Sequence, residues 1–376
     1  MVFKGNIDRE DYIDFANYVF GFNGADRSFL KLLPKLFKEG TDSAKDTFFV
    51  KEGDRLAACV GSFPIEYSIL GEKLPVRGIG NMAVHPRDRS KGYMKECMYA
   101  ALEEMIAEGC AFSVLSGRRH RYNHFGYVKC GTARGYEVTA KTISYVLPDD
   151  YQPQLTMRTL CREDAEALSQ LSAIWHARPF HCTRPQEMLY DILISWQSEP
   201  IGFFEGDTLV GWVIVKGSDV WECIADPKHV PDMLFLLSKR FWHLSYKIPY
   251  HDRAVAEAIF PYAETSCTEP ELCFNILNYE KVLSLLLRLK ATYEPLLDGE
   301  TVVEIKGYAK TERLRLAVAD GVPSVTVTDA PADATLSHLA AMRALFLADA
   351  PERSALSPVV RSWLPLPIYI YHADNV

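Results

Sequence analysis

Apolar and polar positions follow two different periods along this chain, and the switches between them mark its elements. Between residues 92 and 109 the apolar residues Met94, Cys97, Met98, Ala101, Leu102, Met105 and Ile106 recur at helical spacing on one stripe, with Gly109 as the stop. The run 111–116 after it is short, apolar and strand-like. The same reasoning predicts helices at 10–19, 163–175, 275–287 and 336–347, and strands at 301–305, 314–318 and 325–328. Residues 364–376 read as an extended, aromatic-rich tail.

The pattern repeats. Phe48-Phe-Val-Lys-Glu-Gly-Asp-Arg-Leu-Ala-Ala-Cys-Val60 is echoed by Gly202-Phe-Phe-Glu-Gly-Asp-Thr-Leu-Val-Gly-Trp-Val213. In both, a Glu-Gly-Asp turn joins two strand-like runs, as in a hairpin. Each hairpin follows a predicted helix and leads to an apolar run that ends in proline, Val84-His85-Pro86 and Ala225-Asp226-Pro227. Two tandem units of one α/β (α+β) fold account for the echo, and a third α+β region follows, with expected bounds of 1–150, 151–274 and 275–376.

The two units differ at one place. After the first proline comes Arg89-Ser90-Lys91-Gly92-Tyr93-Met94, a basic glycine-containing loop that feeds a helix N-terminus. Unpaired backbone N–H groups and the positive end of a helix dipole suit a diphosphate there. The second unit has no glycine between Gly217 and Gly299 and so no such cradle, which marks it as degenerate. Two other phosphate-binding patterns fail. No G-x-x-x-x-G-K-[ST] is present, and Gly78-Ile-Gly80-Asn-Met-Ala83, although it spells G-x-G-x-x-A, runs into Val84-His85-Pro86 where a helix would have to begin.

Composition narrows the class. With 376 residues, 48% hydrophobic and 24% charged, the chain reads as soluble and globular. A formal net charge of -8 argues against nucleic acid as the main partner and is compatible with a cationic substrate. No apolar leader and no run approaching a membrane span is seen, so a cytoplasmic location without membrane contact is expected. Nine cysteines, with no C-x-x-C pair and no metal-site spacing, read as reduced and mostly buried thiols, and no metal is expected.

Strand, Arg-x-x-Gly loop, helix, strand and then Tyr122-Asn-His-Phe-Gly-Tyr127 together resemble the acyl-CoA-binding core of the GNAT N-acetyltransferases. An active unit, a degenerate unit and a small α+β domain resemble the multidomain Eis (enhanced intracellular survival) acetyltransferases, whose last domain is similar to a sterol carrier protein. The resemblance implies acetyl-CoA as donor and a small-molecule amine, aminoglycoside-like or polyamine-like, as acceptor. It also implies a homo-oligomer, a hexamer in some members. It places the pantetheine arm along Met82, Ala83 and Val84, and the diphosphate on Arg89, Ser90, Lys91, Gly92, Tyr93 and Met94. Tyr122 falls where the family keeps its general acid. The loop departs from the usual Gly-x-Gly or Gly-x-Ala by ending Gly92-Tyr93-Met94. Asn375 stands where aminoglycoside-acetylating members are expected to carry an acid, and no clear acid ends the first helix in Tyr18-Val-Phe-Gly-Phe-Asn23.

Amine acetylation needs a base, because most alkyl amines are ammonium ions at neutral pH. The central strand 76–84 offers no carboxylate. The Eis-like resemblance supplies one from the chain end: the α-carboxylate of Val376, ionised at neutral pH, threaded into the first unit. Backbone N–H groups near Met82–Val84 would hold the thioester oxygen, and the Tyr122 phenol would protonate the leaving thiolate. Arg118, Arg119 and Arg121 read as a solvated turn, and His85, His120 and His124 take no role. Two other functions use the same residues: an apolar-ligand carrier with a CoA-binding remnant, for which 282–287 would line a tunnel rather than a core, and a protein-lysine acetyltransferase.

Overall fold

The Glu-Gly-Asp echo builds two matching hairpins. Glu52 pairs with Arg55 and Glu205 with Thr208, so each loop has two residues. Gly53 and Gly206 both sit at φ +60°, the conformation a glycine supplies at the first central position of a type II′ turn. The computed structural model describes residues 1–22 and 28–376, so Asn23 lies outside the described residues.

The first part of the chain runs β1 (Val2–Lys4), α1 (Arg9–Gly21), α2 (Phe29–Leu32), α3 (Pro34–Phe37), β2 (Thr47–Glu52), β3 (Arg55–Ile69), β4 (Glu72–Val84), α4 (Tyr93–Ala107), β5 (Phe112–Leu115), α5 (Arg119–Tyr122) and β6 (Val128–Thr139). The second runs α6 (Ala140–Val146), β7 (Thr156–Thr159), α7 (Ala165–His176), β8 (Phe180–Cys182), α8 (Gln186–Leu193), β9 (Glu199–Glu205), β10 (Thr208–Lys216), β11 (Asp219–Ala225), α9 (Val230–Ser238), β12 (His243–Pro249), α10 (Arg253–Ile259) and β13 (Ala263–Ile276). The third comprises α11 (Tyr279–Ala291), β14 (Gly299–Lys306), β15 (Thr311–Ala319), β16 (Val322–Val327), β17 (Ala334–Ser337) and α12 (His338–Phe346), followed by the tail.

One mixed sheet joins the first two parts in the order β1-β2-β3-β4-β5-β13-β6-β12-β11-β10-β9-β7, with β8 on β3. Each half has four antiparallel strands, β1-β2-β3-β4 and β7-β9-β10-β11, and then, across a helix, a parallel neighbour: β5 beside β4 and β12 beside β11. The last strands are exchanged. β6 of the first part pairs with β12, β13 of the second pairs with β5, and β6 and β13 run antiparallel to each other at the centre.

Several expectations shift under these pairings. The helix expected from residue 275 begins at Tyr279, because Asn275 and Ile276 complete β13 against Ser113 and Phe112. Asn278 caps it, its side-chain oxygen accepting from the Lys281 amide at 3.1 Å. Val282, Leu283, Leu285, Leu286 and Leu287 are packed in the core beneath the separate sheet β16-β15-β14-β17. On α4, Cys97, Met98, Ala101, Leu102 and Met105 are buried, but Ile106 faces outward at 39% exposure; the apolar stripe is wider than the face that meets the sheet. All nine cysteines are free thiols, and seven are buried. No helix among the described residues is long and apolar enough to cross a membrane.

The tail turns back into the molecule. Leu366 donates its amide to the Leu345 carbonyl at 2.8 Å, and the Tyr67 hydroxyl donates to the Tyr369 carbonyl. Residues 368–371 are no more than 1% exposed, and the last residue, Val376, is itself buried.

Candidate active site

β4 and β5 pair only from Val76 opposite Phe112 to Ile79 opposite Leu115. β4 runs on to Val84 while the chain after Leu115 turns away into α5, so the far end of β4 has no strand neighbour on that side. There β3 sets the single residue Val60 against Asn81 and Met82, a β-bulge with Asn81 at φ +50°. Met82 and Val84 face a cleft of about 670 Å³, whereas Ala83 packs into the core under α1, which leaves only its main chain for a ligand.

The basic loop forms the floor of this cleft. Arg89, Ser90, Gly92, Tyr93 and Met94 line it. Gly92 sits at φ +89° with nothing within 4 Å of a Cβ placed there, so a side chain would both strain the backbone and enter the cleft. The first amides of α4 have no partner within the helix and the dipole is positive at that end. Lys91 is placed differently: its ammonium is 2.8 Å from Asp88 and 3.7 Å from Glu52. With Arg55, 2.6 Å away, it holds buried Asp88 below the usual carboxylate range. Lys91 therefore braces the loop, and Arg89 is the loop cation that faces the ligand space.

Tyr122 closes the inner end of the cleft. It is 3% exposed, and its ring lies where a Cβ on Gly117 would be 2.2 Å away, so the close packing depends on that glycine. Burial pushes the phenol above its usual range, and Arg121 offsets part of the shift. The arginine turn is thus not wholly solvated, since Arg121 lines the cleft. Beyond Tyr122 a second cavity of about 300 Å³ adjoins the first, sharing Met82, Arg121 and Tyr122, and Val376 lines it. The Val376 carboxyl carbon would lie 2.9 Å from a Cβ on Gly80, and its Cγ2 2.5 Å from one on Gly78.

A cleft between splayed strands, a bulged β4 and a glycine loop capping α4 coincide with a sequence match: residues 6–130 fit the family described as an acetyltransferase (GNAT) domain. The first part of this chain is a GNAT acetyltransferase domain. Such domains work with a CoA thioester and an acceptor, and the chain is an acyltransferase in this sense. Solved structures extend the likeness to the whole length. Eis1 from Mycobacterium abscessus, 14% identical, is covered over 100% of both chains with a TM-score of 0.64. A GCN5-related N-acetyltransferase from Anabaena variabilis, 13% identical, matches 99% of this chain and 98% of its own with a TM-score of 0.67. Another from Kribbella flavida, 16% identical, matches 98% and 100% with a TM-score of 0.64. At these identities the likeness is one of fold, and the fold is Eis-like from end to end. None of the curated proteins matches the chain in sequence.

The GNAT domain does not hold the tail alone. Lys35 of α3, nearly fully buried, donates to the carbonyls of Ala373 at 2.6 Å and Asn375 at 2.5 Å. Burial lowers its pKa to about 7, with Asp374 opposing and Arg184 adding to the shift. The Trp196 indole, from the second part, donates to the Asn375 carbonyl at 3.1 Å. Arg184 is fully buried and forks to both oxygens of Asp374, at 2.8 and 2.9 Å, and to both of Glu222, at 3.1 and 2.6 Å. Farther back, the Tyr371 hydroxyl donates to Asp252 at 2.6 Å, beside Arg178.

Lys35, Gly78, Gly80, Arg184 and Trp196 were not distinguishable as site residues from sequence. The Gly78-x-Gly80 spacing was visible, but it serves a contact with residue 376 and not a nucleotide. Alanine at position 80 is expected to push the terminal carboxylate aside by about an ångström, which costs roughly 100-fold in turnover. The checking measurement is steady-state kcat of Gly80→Ala beside Leu70→Ala, with thermal melts to confirm that both fold.

Proposed function

We propose that this chain transfers the acetyl group of acetyl-CoA to a primary amine of a small molecule, with the Val376 α-carboxylate as base and Tyr122 as acid. One observation supports the reading: Val376, Met82 at the bulge and Tyr122 line a single cavity that adjoins the cleft of about 670 Å³. Gly92, the free amides of α4 and Arg89 fit the diphosphate, and the unpaired edge of β4 fits the pantetheine amides.

The residues then divide the proton traffic. The carboxylate takes a proton from the ammonium, directly or through water, so the nitrogen can attack the thioester carbon. Main-chain N–H groups at the bulge would hold the oxyanion. As the carbon–sulfur bond breaks, the Tyr122 hydroxyl gives its proton to the sulfur, and its burial keeps it protonated for that step. The products are the N-acetyl amine and CoA thiol. Around this centre we read residues 151–274 as a second, GNAT-like unit without a cradle, and 275–376 as a sterol-carrier-like domain whose task is to deliver the tail.

Tyr122→Phe tests the acid. It is expected to lower kcat about 100-fold while acetyl-CoA affinity by calorimetry stays within roughly twofold. The sign of the pH effect follows from the raised phenol: the protonated form is active, so the alkaline fall in wild-type kcat/KM due to this group comes only above about pH 10. That fall is absent in Tyr122→Phe.

A further inference from the structure

The inner cavity, about 300 Å³, is at the small end of ligand pockets. Its wall opposite β4 is apolar and largely aromatic: Phe20, Phe29, Leu32, Leu33 and Trp196. Phe20 and Phe29 pack against each other with ring centroids 5.0 Å apart. Trp196 is held at φ +64° and Gln197 at φ +60°, a conformation that side-chain-bearing residues rarely adopt. That backbone presents the indole to the cavity while its N–H grips the tail.

Among the described lining residues, the charged side chains at the cavity have one sign. They are Arg118 and Arg121, and the carboxylate is that of Val376. On the other side of Val376 an adjoining cavity of about 410 Å³ is lined by Lys35, Leu36, Phe63, Ile65 and Met188. The acids at its wall are committed: Asp374 to Arg184 at 2.8 Å, and Glu66 to Lys73 at 2.8 Å and Thr183 at 2.6 Å. A single ammonium finds its counter-charge at the chain terminus. A second or third ammonium on the same molecule would meet arginines, and like charges brought together at a recognition surface are strongly disfavoured.

We infer that the acceptor is a monoamine on an aromatic or branched apolar body, and that polyamines and aminoglycosides are poor substrates. The inference rests on the acetyltransferase reading above. It makes Leu33 and Trp196 contacts for the acceptor body, and Arg118 a residue that selects against polycations.

The test measures CoA thiol release by the full chain with acetyl-CoA and four amines: 2-phenylethylamine, 3-methylbutylamine, spermidine and kanamycin. The expected result is kcat/KM for the first two roughly 100-fold above the last two. Arg118→Glu, an exposed substitution, is expected to raise spermidine turnover about tenfold relative to 2-phenylethylamine, and Leu33→Ala to lower kcat/KM for 2-phenylethylamine by roughly 10-fold or more. Preference for spermidine or kanamycin overturns the inference and leaves the acetyltransferase reading intact. So does acetyl-CoA binding without turnover of any of the four. Faster turnover with hexanoyl-CoA than with acetyl-CoA overturns the inference by giving the apolar wall to the acyl chain, and it replaces the acetyl donor with a longer one while leaving acyl transfer in place. Absence of acetyl-CoA binding by calorimetry removes the underlying reading, and the inference with it.

Discussion

A chain whose terminal carboxylate is converted to a carboxamide is expected to lose between about 10²- and 10⁴-fold in kcat, the range for a missing general base. Amidation is nearly isosteric, so Val376 still fits against Gly78 and Gly80, and Lys35 and Trp196 still hold the carbonyls of Ala373 and Asn375. What disappears is the charge and with it the proposed proton acceptor. Acetyl-CoA binding, proposed above on Arg89, Gly92, the first amides of α4 and the edge of β4, is expected to stay within roughly twofold. A semisynthetic amidated chain, compared with the ligated free acid in single-turnover and binding experiments, separates these terms. Equal kcat for the two would remove Val376 from the chemistry and return it to a structural role.

The second large effect concerns stability. Arg184 is the common partner of Glu222 and Asp374, lies 3.6 Å from the centre of the Trp175 ring, and is fully buried. Its substitution by methionine leaves two buried carboxylates without their hydrogen-bonded counter-charge; of the side-chain donors to Glu222 only the Trp212 indole, at 2.6 Å, remains, and Asp374 keeps the more distant field of Lys35. Breaking a buried ion group by removing one member typically costs about 3–5 kcal/mol. Urea unfolding of Arg184→Met should show a loss of that order, and carboxypeptidase should release Val376 from it far faster than from the native chain. The triple variant Arg184→Met, Glu222→Gln, Asp374→Asn is expected to recover most of the loss, because it removes the charges together. If Arg184→Met unfolds at the native urea concentration, the buried triad is not what secures the tail.

What sequence could reveal here follows from how far apart the interacting residues are. The loop 89–94 and the helix after it are local: a glycine, adjacent basic residues and a 3.6-residue stripe lie within one 20-residue window, and the loop and helix form there, although Lys91 turns to Asp88 and Ile106 faces solvent. The hairpins at Gly53 and Gly206 are local as well. By contrast Gly80 owes its missing side chain to residue 376, and Lys35 its burial to residues 373 and 375. A single sequence carries no trace of such contacts, and there Gly78 and Gly80 spell only a chance dinucleotide pattern. The extension of β13 through Ile276 belongs to the same class, since it is set by β5, which lies far earlier in the chain.

The strand exchange also has a price in time. β5 is complete at Leu115, yet the strand that covers its open side ends at Ile276. At a synthesis rate of about 5–20 residues per second, that edge waits on the order of 10 s while the ribosome makes the rest. β6 waits in the same way for β12. For this interval the nascent chain carries an open edge on β5, which pairs only with β4, and a β6 without its neighbours, the kind of surface on which β-rich intermediates associate. The order of the strands thus sets a long interval in which the emerging polypeptide offers open β edges to other chains.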